Sequence, residues 1–395
     1  MPLVKSLENP FFSFNKIPAK PISTHLIVTY KDQDLTQEKG YLPSKTVLDI
    51  VILTYNQNAQ PIFKLSDGSY ILASKLNIVD GSSLILEESP EVYWVNADAS
   101  YYEAPYTTGV KKRSGIDKAY QKVSITEKVQ TQYGIYAKIS DKVWVPITDL
   151  SQTDHRMEAV QLLLNEKYNQ SNLSIYVKQL QTDEVAEINA DKKMYSASIS
   201  KLPILYYTQR QITNGELQPT QQYQYIDAVN TFSSAYKPEG STVLPHTANH
   251  QDYSIDDLEK AVAQESDNVA SNMLAYYVTQ QFDPTYSKVI AAVAGETWDM
   301  SKREVSAKMA GKMMEALYYQ DGKIMDYLSH TEFDNQRIAK DISDRVAHKI
   351  GDAYDYKHDV AVVYSDSPFV LSIFTNESSY DEITRIANDI YNILK

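Results

Sequence analysis

The chain has 395 residues, 43% of them hydrophobic and 23% charged, an ordinary balance for two to three globular domains with sizeable cores, which excludes an intrinsically disordered chain. With 38 Lys and Arg against 51 Asp and Glu the formal charge is −13, the wrong sign for non-specific nucleic-acid binding, so no nucleic-acid partner is expected. The absence of cysteine excludes disulfides, zinc–thiolate sites and cysteine nucleophiles but leaves the compartment open. No apolar run approaches the ~18 residues of a membrane span, and none is expected.

Met1-Pro2-Leu3-Val4-Lys5 opens the chain without the apolar stretch of a signal peptide, so either the protein stays inside the cell or a signal has been removed. Up to about Leu150 the pattern is β: Val47 to Leu53 and Ile62 to Leu65 are short β-rich runs bounded by turn residues, and only Gly115 to Lys122 hints at a helix. Tyrosine, at 31 against 9 Phe, is the compositional oddity and fits strands first, although Trp94, Trp144 and the nearby tyrosines also suit contact with wall peptide or glycan. A weak repeat follows. Phe63-Lys64-Leu65-Ser66-Asp67-Gly68-Ser69-Tyr70-Ile71-Leu72-Ala73 reads strand, turn, strand, and Tyr136-Ala137-Lys138-Ile139-Ser140-Asp141-Lys142-Val143-Trp144-Val145-Pro146 repeats the plan. Two tandem β-barrels, residues 1–85 and 86–151, account for it and resemble the bacterial SH3-like modules found beside cell-wall enzymes.

Past Leu150 the period changes. Met157, Val160, Leu163 and Leu164 have helical spacing between Asp154 and Tyr168, and strands follow at Leu173 to Leu180 and Glu184 to Ile188. Helical segments dominate from Ile199 to about Leu328, one of them opened by the capping signature Ser254-Ile255-Asp256-Asp257. Strands return at Arg345 to Ile350, Val360 to Tyr364 and Phe369 to Thr375, and a last helix, Tyr380 to Leu394, keeps Ile383, Ile386, Ile390 and Leu394 on one face. The fold class is α+β: an antiparallel sheet with packed helices over residues 152–395, preceded by the two small all-β units.

Three short elements carry the chemistry. Ser198-Ile199-Ser200-Lys201 is an S-x-x-K, Ser266-Asp267-Asn268 is an intact S-D-N, and Lys349-Ile350-Gly351 is a K-T-G with Ile in the middle. Alone, S-x-x-K means little, since Ser13 to Lys16 and Ser234 to Lys237 match it too and a capping serine beside a surface lysine reads the same way. Ser198 differs in context, because strands precede it and Lys201-Leu202-Pro203-Ile204-Leu205 reads as the start of an apolar helix. Serine and lysine three apart share a face there. The helix N-terminus favours a developing oxyanion, and a lysine kept dry is disposed to act as a base.

In that order and context the elements resemble the class A β-lactamase and penicillin-binding peptidase family over Gln152 to Lys395. The resemblance implies Ser198 as acylated nucleophile, Lys201 as its general base and Ser266 as the hydroxyl relaying a proton to the leaving nitrogen. It implies Asn268 as the amide holding the substrate's acyl side chain, and Lys349, with Gly351 beside it, as the cation on the substrate carboxylate. The oxyanion would be met by the Ser198 N–H and by one from the last strand's edge, near Tyr354 to Tyr356. No cofactor and no metal are implied.

Departures from the pattern shape the expected activity. Class A enzymes carry a deacylating Glu in an E-x-x-L-N setting, and no such motif lies between Ser266 and Lys349. Glu296 and then Glu304 are the only stand-ins, and each also reads as a solvated loop or first-turn acid. Ile350 removes a hydroxyl, and Asp352 adds negative charge near a carboxylate site, offset in part by His348 and Lys349. His246 and His250 read as surface residues, and His358-Asp359 as part of a hairpin rather than a charge relay. The expectation is a cell-surface or extracellular serine acyl-transfer hydrolase acting on D-Ala-D-Ala-like peptidoglycan peptides or β-lactams. Deacylation should be slow, and wall contact should run through the N-terminal modules. A true β-lactamase and a non-catalytic wall-binding protein with a decayed site are the alternatives.

Overall fold

The structure is a computed structural model describing residues 13–80, 84–87, 91–116 and 118–395, so the opening Met1 to Lys5 lies outside the described residues. The chain divides into two compact units, Met1–His155 and Arg156–Lys395.

The first unit is all β. One five-stranded sheet runs in the order Glu38–Leu42, Ile27–Tyr30, Tyr70–Leu72, Pro61–Leu65, Ile50–Tyr55, over a core of Ile27, Phe63, Leu65, Ile71 and Ile78. A four-stranded sheet follows, Val143–Pro146, Gly134–Ser140, Glu127–Thr131, Leu84–Glu87, and a separate core gathers Val95, Val123, Ile125, Ala137 and Val145. Both repeat copies are hairpins, with Phe63 opposite Ile71 and Ala137 opposite Val145. Gly68 in the first turn has φ +80°, a left-handed conformation that glycine adopts without a steric penalty. Among the described residues, however, neither sheet closes on itself, so the expected small barrels are open sheets. A hairpin repeat encodes neighbouring pairs, whereas closure depends on strand tilt and on pairing of first with last strand. The helix hinted at for Gly115 to Lys122 is absent among the described residues there, and Lys122 opens the strand Lys122–Ile125. Tyr93, Tyr136 and Trp144 are buried strand residues, and Tyr101 is buried in a loop.

The second unit is a five-stranded antiparallel sheet in the order Val185–Ile188, Leu173–Gln179, Phe369–Asn376, Tyr356–Val363, Val346–Ala353. Its period-two alternation serves two cores. Ile175, Val177, Leu371 and Ile373 pack with Val160, Leu164, Ile383, Ile386 and Ile390 of the helices Arg156–Lys167 and Tyr380–Leu394. Tyr176, Val360, Val362, Val370 and Phe374 belong to the other core, with helices Leu202–Thr213, Ile255–Gln264, Asn268–Tyr277, Pro284–Ala294 and Ala307–Tyr318. Gly311 lets the last of these lie on the sheet, since a Cβ there would stand 2.5 Å from the Tyr176 ring. The capping signature holds, with Ser254 accepting from the Asp257 N–H. The helical block is interrupted between Asn214 and Ser254, where short strands Gln222–Gln224 and Asp252–Ser254 pair and the intervening loop turns toward the candidate site. Among the described residues no helix is long and apolar enough to cross a membrane.

Candidate active site

Ser198 lies in the 3-10 helix Ala197–Lys201, which runs straight into Leu202–Thr213 with Pro203 in its first positions. In a 3-10 turn residues three apart eclipse, so Ser198 and Lys201 project to the same side. Ala197, buried, has φ +48°, an alanine in left-handed backbone directly before the serine. Such a conformation persists only where its surroundings fix it. The fixing is visible: the Ser196 N–H donates to Arg303 O (2.7 Å), Ser196 and Ser200 share a hydroxyl contact (2.6 Å), and Trp298 Nε1 donates to Ser200 Oγ (3.0 Å).

Two buried lysines meet at the Ser266 hydroxyl. Lys201 is fully buried, and its Nζ donates to Ser266 O (2.5 Å) and Asn268 Oδ1 (2.6 Å), with Ser266 Oγ at 3.4 Å and the Tyr236 ring centroid at 4.6 Å. Burial, reinforced by the charge of Lys349, pushes its pKa well below the ordinary lysine range, toward the neutral amine a general base requires. Lys349 is 1% exposed and donates to Ser266 Oγ (2.8 Å) and Ile350 O (3.0 Å), and burial lowers it to about 7. The Ser266 hydroxyl thus stands between both amines. It belongs to a sharp turn (Ser266 φ +57°) between two helices, the second capped by Asp267, which accepts from Ala270 N at 2.7 Å. The other Asp267 oxygen holds the loop above through Thr242 Oγ1, Val243 N and Leu244 N. Asn268 Nδ2 donates to Lys237 O (2.8 Å), and an amide nitrogen has a second hydrogen to offer a ligand.

The third element lies on the edge strand Val346–Ala353. Gly351 is required by contact: a Cβ there would stand 2.6 Å from Ser196 O and 2.8 Å from Ile199 Cγ1, so only glycine lets the strand lie against the serine's helix. Alternation puts Lys349 and Gly351 on that face and Ile350 on the other, with His348 and Asp352. Ile350, 6% exposed, is therefore a packing residue. Asp352 pairs with the buried Arg337 guanidinium and accepts from the Tyr380 hydroxyl, so its charge is neutralised and does not oppose a carboxylate, contrary to the sequence expectation. His348 offsets nothing at the site either, because its ring lies between Asp359 (3.0 Å) and Asp334 (3.2 Å). Burial works against the imidazolium, but these two carboxylates outweigh it and raise the ring to about 9.

The edge strand also corrects the expected oxyanion donor. The His348 N–H leaves the sheet to donate to Leu328 O (2.8 Å), and in an antiparallel ladder alternate residues point the same way. Ile350 and Asp352 therefore aim their N–H groups off the edge, and Asp352 is the one beyond Gly351, where the strand meets the serine's helix. Tyr354, at the hairpin turn and 85% exposed, is not placed for this.

Of the weaker candidates, Glu296 is half exposed and paired with Lys193 (2.9 Å), Glu304 is exposed in the short strand Glu304–Ser306, and His246 and His250 are exposed in their loop. His358 is buried inside a strand, accepts from Thr375 N (3.1 Å), contacts Tyr195 O (2.9 Å), and is lowered by burial to about 4, a neutral structural ring. Two neighbours of Lys201 were missed by the sequence reading, Tyr236 and Arg303. The rejected match Ser234 to Lys237 was the trace of one of them, since that loop covers the site.

An antiparallel sheet between helical layers, with a serine at a helix start and two buried lysines converging on a second serine hydroxyl, fits the class of active-site serine hydrolases. The Beta-lactamase enzyme family matches residues 155–394, and the chain belongs to it. Residues 14–78 match a domain of unknown function, DUF5776. No curated protein matches the chain. Among solved structures it is similar to a β-lactamase from Sphaerobacter thermophilus (16% identity, TM-score 0.48, 60% of this chain and 95% of that one). It is also similar to PBP-A (15%, 0.47, 61% and 94%) and to a Francisella tularensis β-lactamase (17%, 0.47, 60% and 98%).

Proposed function

We propose that the second unit forms a long-lived acyl-enzyme at Ser198, with D-Ala-D-Ala-like peptidoglycan peptides or β-lactams as acyl donors. Ser198 Oγ attacks the amide carbonyl while its proton passes to Lys201 Nζ. The carbon–nitrogen bond then breaks, and the leaving nitrogen takes a proton through Ser266 Oγ, which Lys349 orients. The Ser198 and Asp352 N–H groups meet the oxyanion, Asn268 the acyl side chain, and Lys349 with Gly351 the substrate carboxylate. The observation that carries the slow second step is the surround of Lys201: its Nζ meets Ser266, Asn268 and the Tyr236 ring, and no carboxylate bonds to it among the described residues. A carboxylate partnered with Lys201 to activate the hydrolytic water is therefore not among its contacts, and Lys201 alone is left for that step.

A cell-surface location and wall contact through the first unit belong to the same reading, and follow from the wall-peptide substrate it names. The edge strand Ile50–Tyr55, which leaves Val51, Ile52 and Tyr55 at least half exposed, supports that contact. Retention of the Ser198→Ala chain on purified peptidoglycan tests that part separately.

The chemistry is tested by intact-mass spectrometry over time with benzylpenicillin. A persistent adduct absent from Ser198→Ala supports the reading. A transient adduct with the drug consumed makes the chain a β-lactamase, and no adduct at any time removes penicillin-type acylation.

A further inference from the structure

Tyr236 is pinned by its backbone, its N–H donating to Asn272 Oδ1 (2.7 Å) and its carbonyl accepting from Asn272 Nδ2 (2.8 Å), so the ring is fixed relative to the helix Asn268–Tyr277. Lys201 Nζ stands 4.6 Å from its centroid and Arg303 Cζ 3.7 Å from it, with the ring buried and its hydroxyl without a partner among the described residues. Arg303 is itself tied at three points: Nη2 donates to Ser234 O (2.6 Å), its N–H to Asp299 O (2.8 Å), and its carbonyl accepts from Ser196 N (2.7 Å), two residues before the nucleophile. Its φ of +54° is a backbone conformation that arginine adopts only when held. One residue therefore braces the serine's helix and closes the wall of the pocket that contains the base.

We propose that Arg303 is a positioning residue for the serine chemistry: it holds the Tyr236 ring against Lys201 and sets a fixed cation beside that ring. The inference deepens the acyl-enzyme reading and rests on it for the reaction concerned, but its test needs no substrate. The groups acting on Lys201 are, besides its burial, Lys349 and Arg303, which disfavour its charged form, and Asp267, which favours it. Removing the guanidinium charge should thus make Lys201 easier to protonate.

The experiment is a 13C NMR titration of the full chain labelled at lysine, with the Lys201 resonance assigned by Lys201→Arg. Arg303→Gln retains a donor for Ser234 O and loses the charge, and Arg303→Met loses both, so one serves if the other fails to fold. Either is expected to raise the Lys201 midpoint by about half a unit, about threefold in its charged-to-neutral ratio, and Arg303→Lys to bring it back toward the parent value. A midpoint unmoved in both neutral variants overturns the proposal and leaves Arg303 a brace only. Absence of a penicillin adduct in the parent would instead count against the acyl-enzyme reading and leave this midpoint unaffected.

Discussion

Lys201 and Lys349 share one buried hydroxyl and cannot both be readily charged, because each is desolvated and Lys349 further disfavours charge on Lys201. The geometry divides the labour between them: Lys201, held well below the ordinary lysine range, suits a base, while Lys349, near 7, is charged in mildly acidic solution. A carboxylate-bearing donor needs that charge. Its second-order acylation rate should therefore fall as pH rises through about 7, while a donor without the carboxylate is spared. Benzylpenicillin and its methyl ester, followed by mass spectrometry from about pH 5 to about pH 9, make the comparison. Parallel profiles would remove Lys349 from carboxylate recognition. At this scale the sequence was informative about the lysines and silent about their setting. The three motif elements name Ser198, Lys201, Ser266 and Lys349 because their order is linear. Tyr236, Arg303 and Arg337 arrive from loops whose approach no local pattern encodes. Asp352 looked harmful only because Arg337, 15 residues upstream, is invisible as its partner in one dimension.

Among the elements, the contact of the edge strand with the 3-10 helix leaves no room for a side chain. Gly351→Ala would force a methyl to within 2.6 Å of the Ser196 carbonyl, so strand and helix must part. The expected result is a loss of about 1–3 kcal/mol in unfolding free energy and at least about a tenfold slower acylation, read by denaturant melts and adduct formation. Unchanged acylation would mean that the contact does not align the serine. A second liability sits in the helix Ile255–Gln264. Glu259 is 2% exposed, one of its carboxyl oxygens has no partner, and burial first, then Asp256, raises it to about 8. Between its unfolded pKa near 4.5 and about 8 the folded state keeps a proton that the unfolded state has lost, so stability falls as pH rises through that window. Glu259→Gln removes the titration. Its melting temperature should match the parent's near pH 4 and exceed it increasingly up to about pH 8, and a constant gap would show that the carboxyl does not titrate there. Elements with a strong period were legible: the last helix was placed at Tyr380 to Leu394, as found, because its four apolar anchors fall on one face. The stretch from Asn214 to Ser254 was misread as part of a helical block, since loops fastened by hydrogen bonds to distant groups, such as those onto Asp267, have no period to read.

For the whole molecule, the question is whether the chemistry needs the first unit. Each unit has its own closed hydrophobic clusters: Ile27, Phe63 and Ile71 in one sheet of the first, Val95, Ile125 and Val145 in the other, and the two large clusters flanking the five-stranded sheet in the second. The family match begins at His155, the last residue of the first unit. A unit that buries its own core is expected to unfold as its own cooperative step. The terminal helix Arg156–Lys167 reinforces this, because Arg156, 5% exposed, donates to Leu394 O (2.9 Å) and Ser367 Oγ (2.8 Å), tying the start of the second unit to its end. A chain of residues 152–395 should accordingly melt in one transition, close to the corresponding transition of the full chain, and acylate with benzylpenicillin at the full chain's rate within about a factor of two. Calorimetry and time-resolved intact mass on the two chains decide it. A fragment that folds with the same transition but acylates much more slowly would assign part of the substrate contact to the first unit. A fragment that fails to fold would show that the second unit's cores do not suffice to hold it.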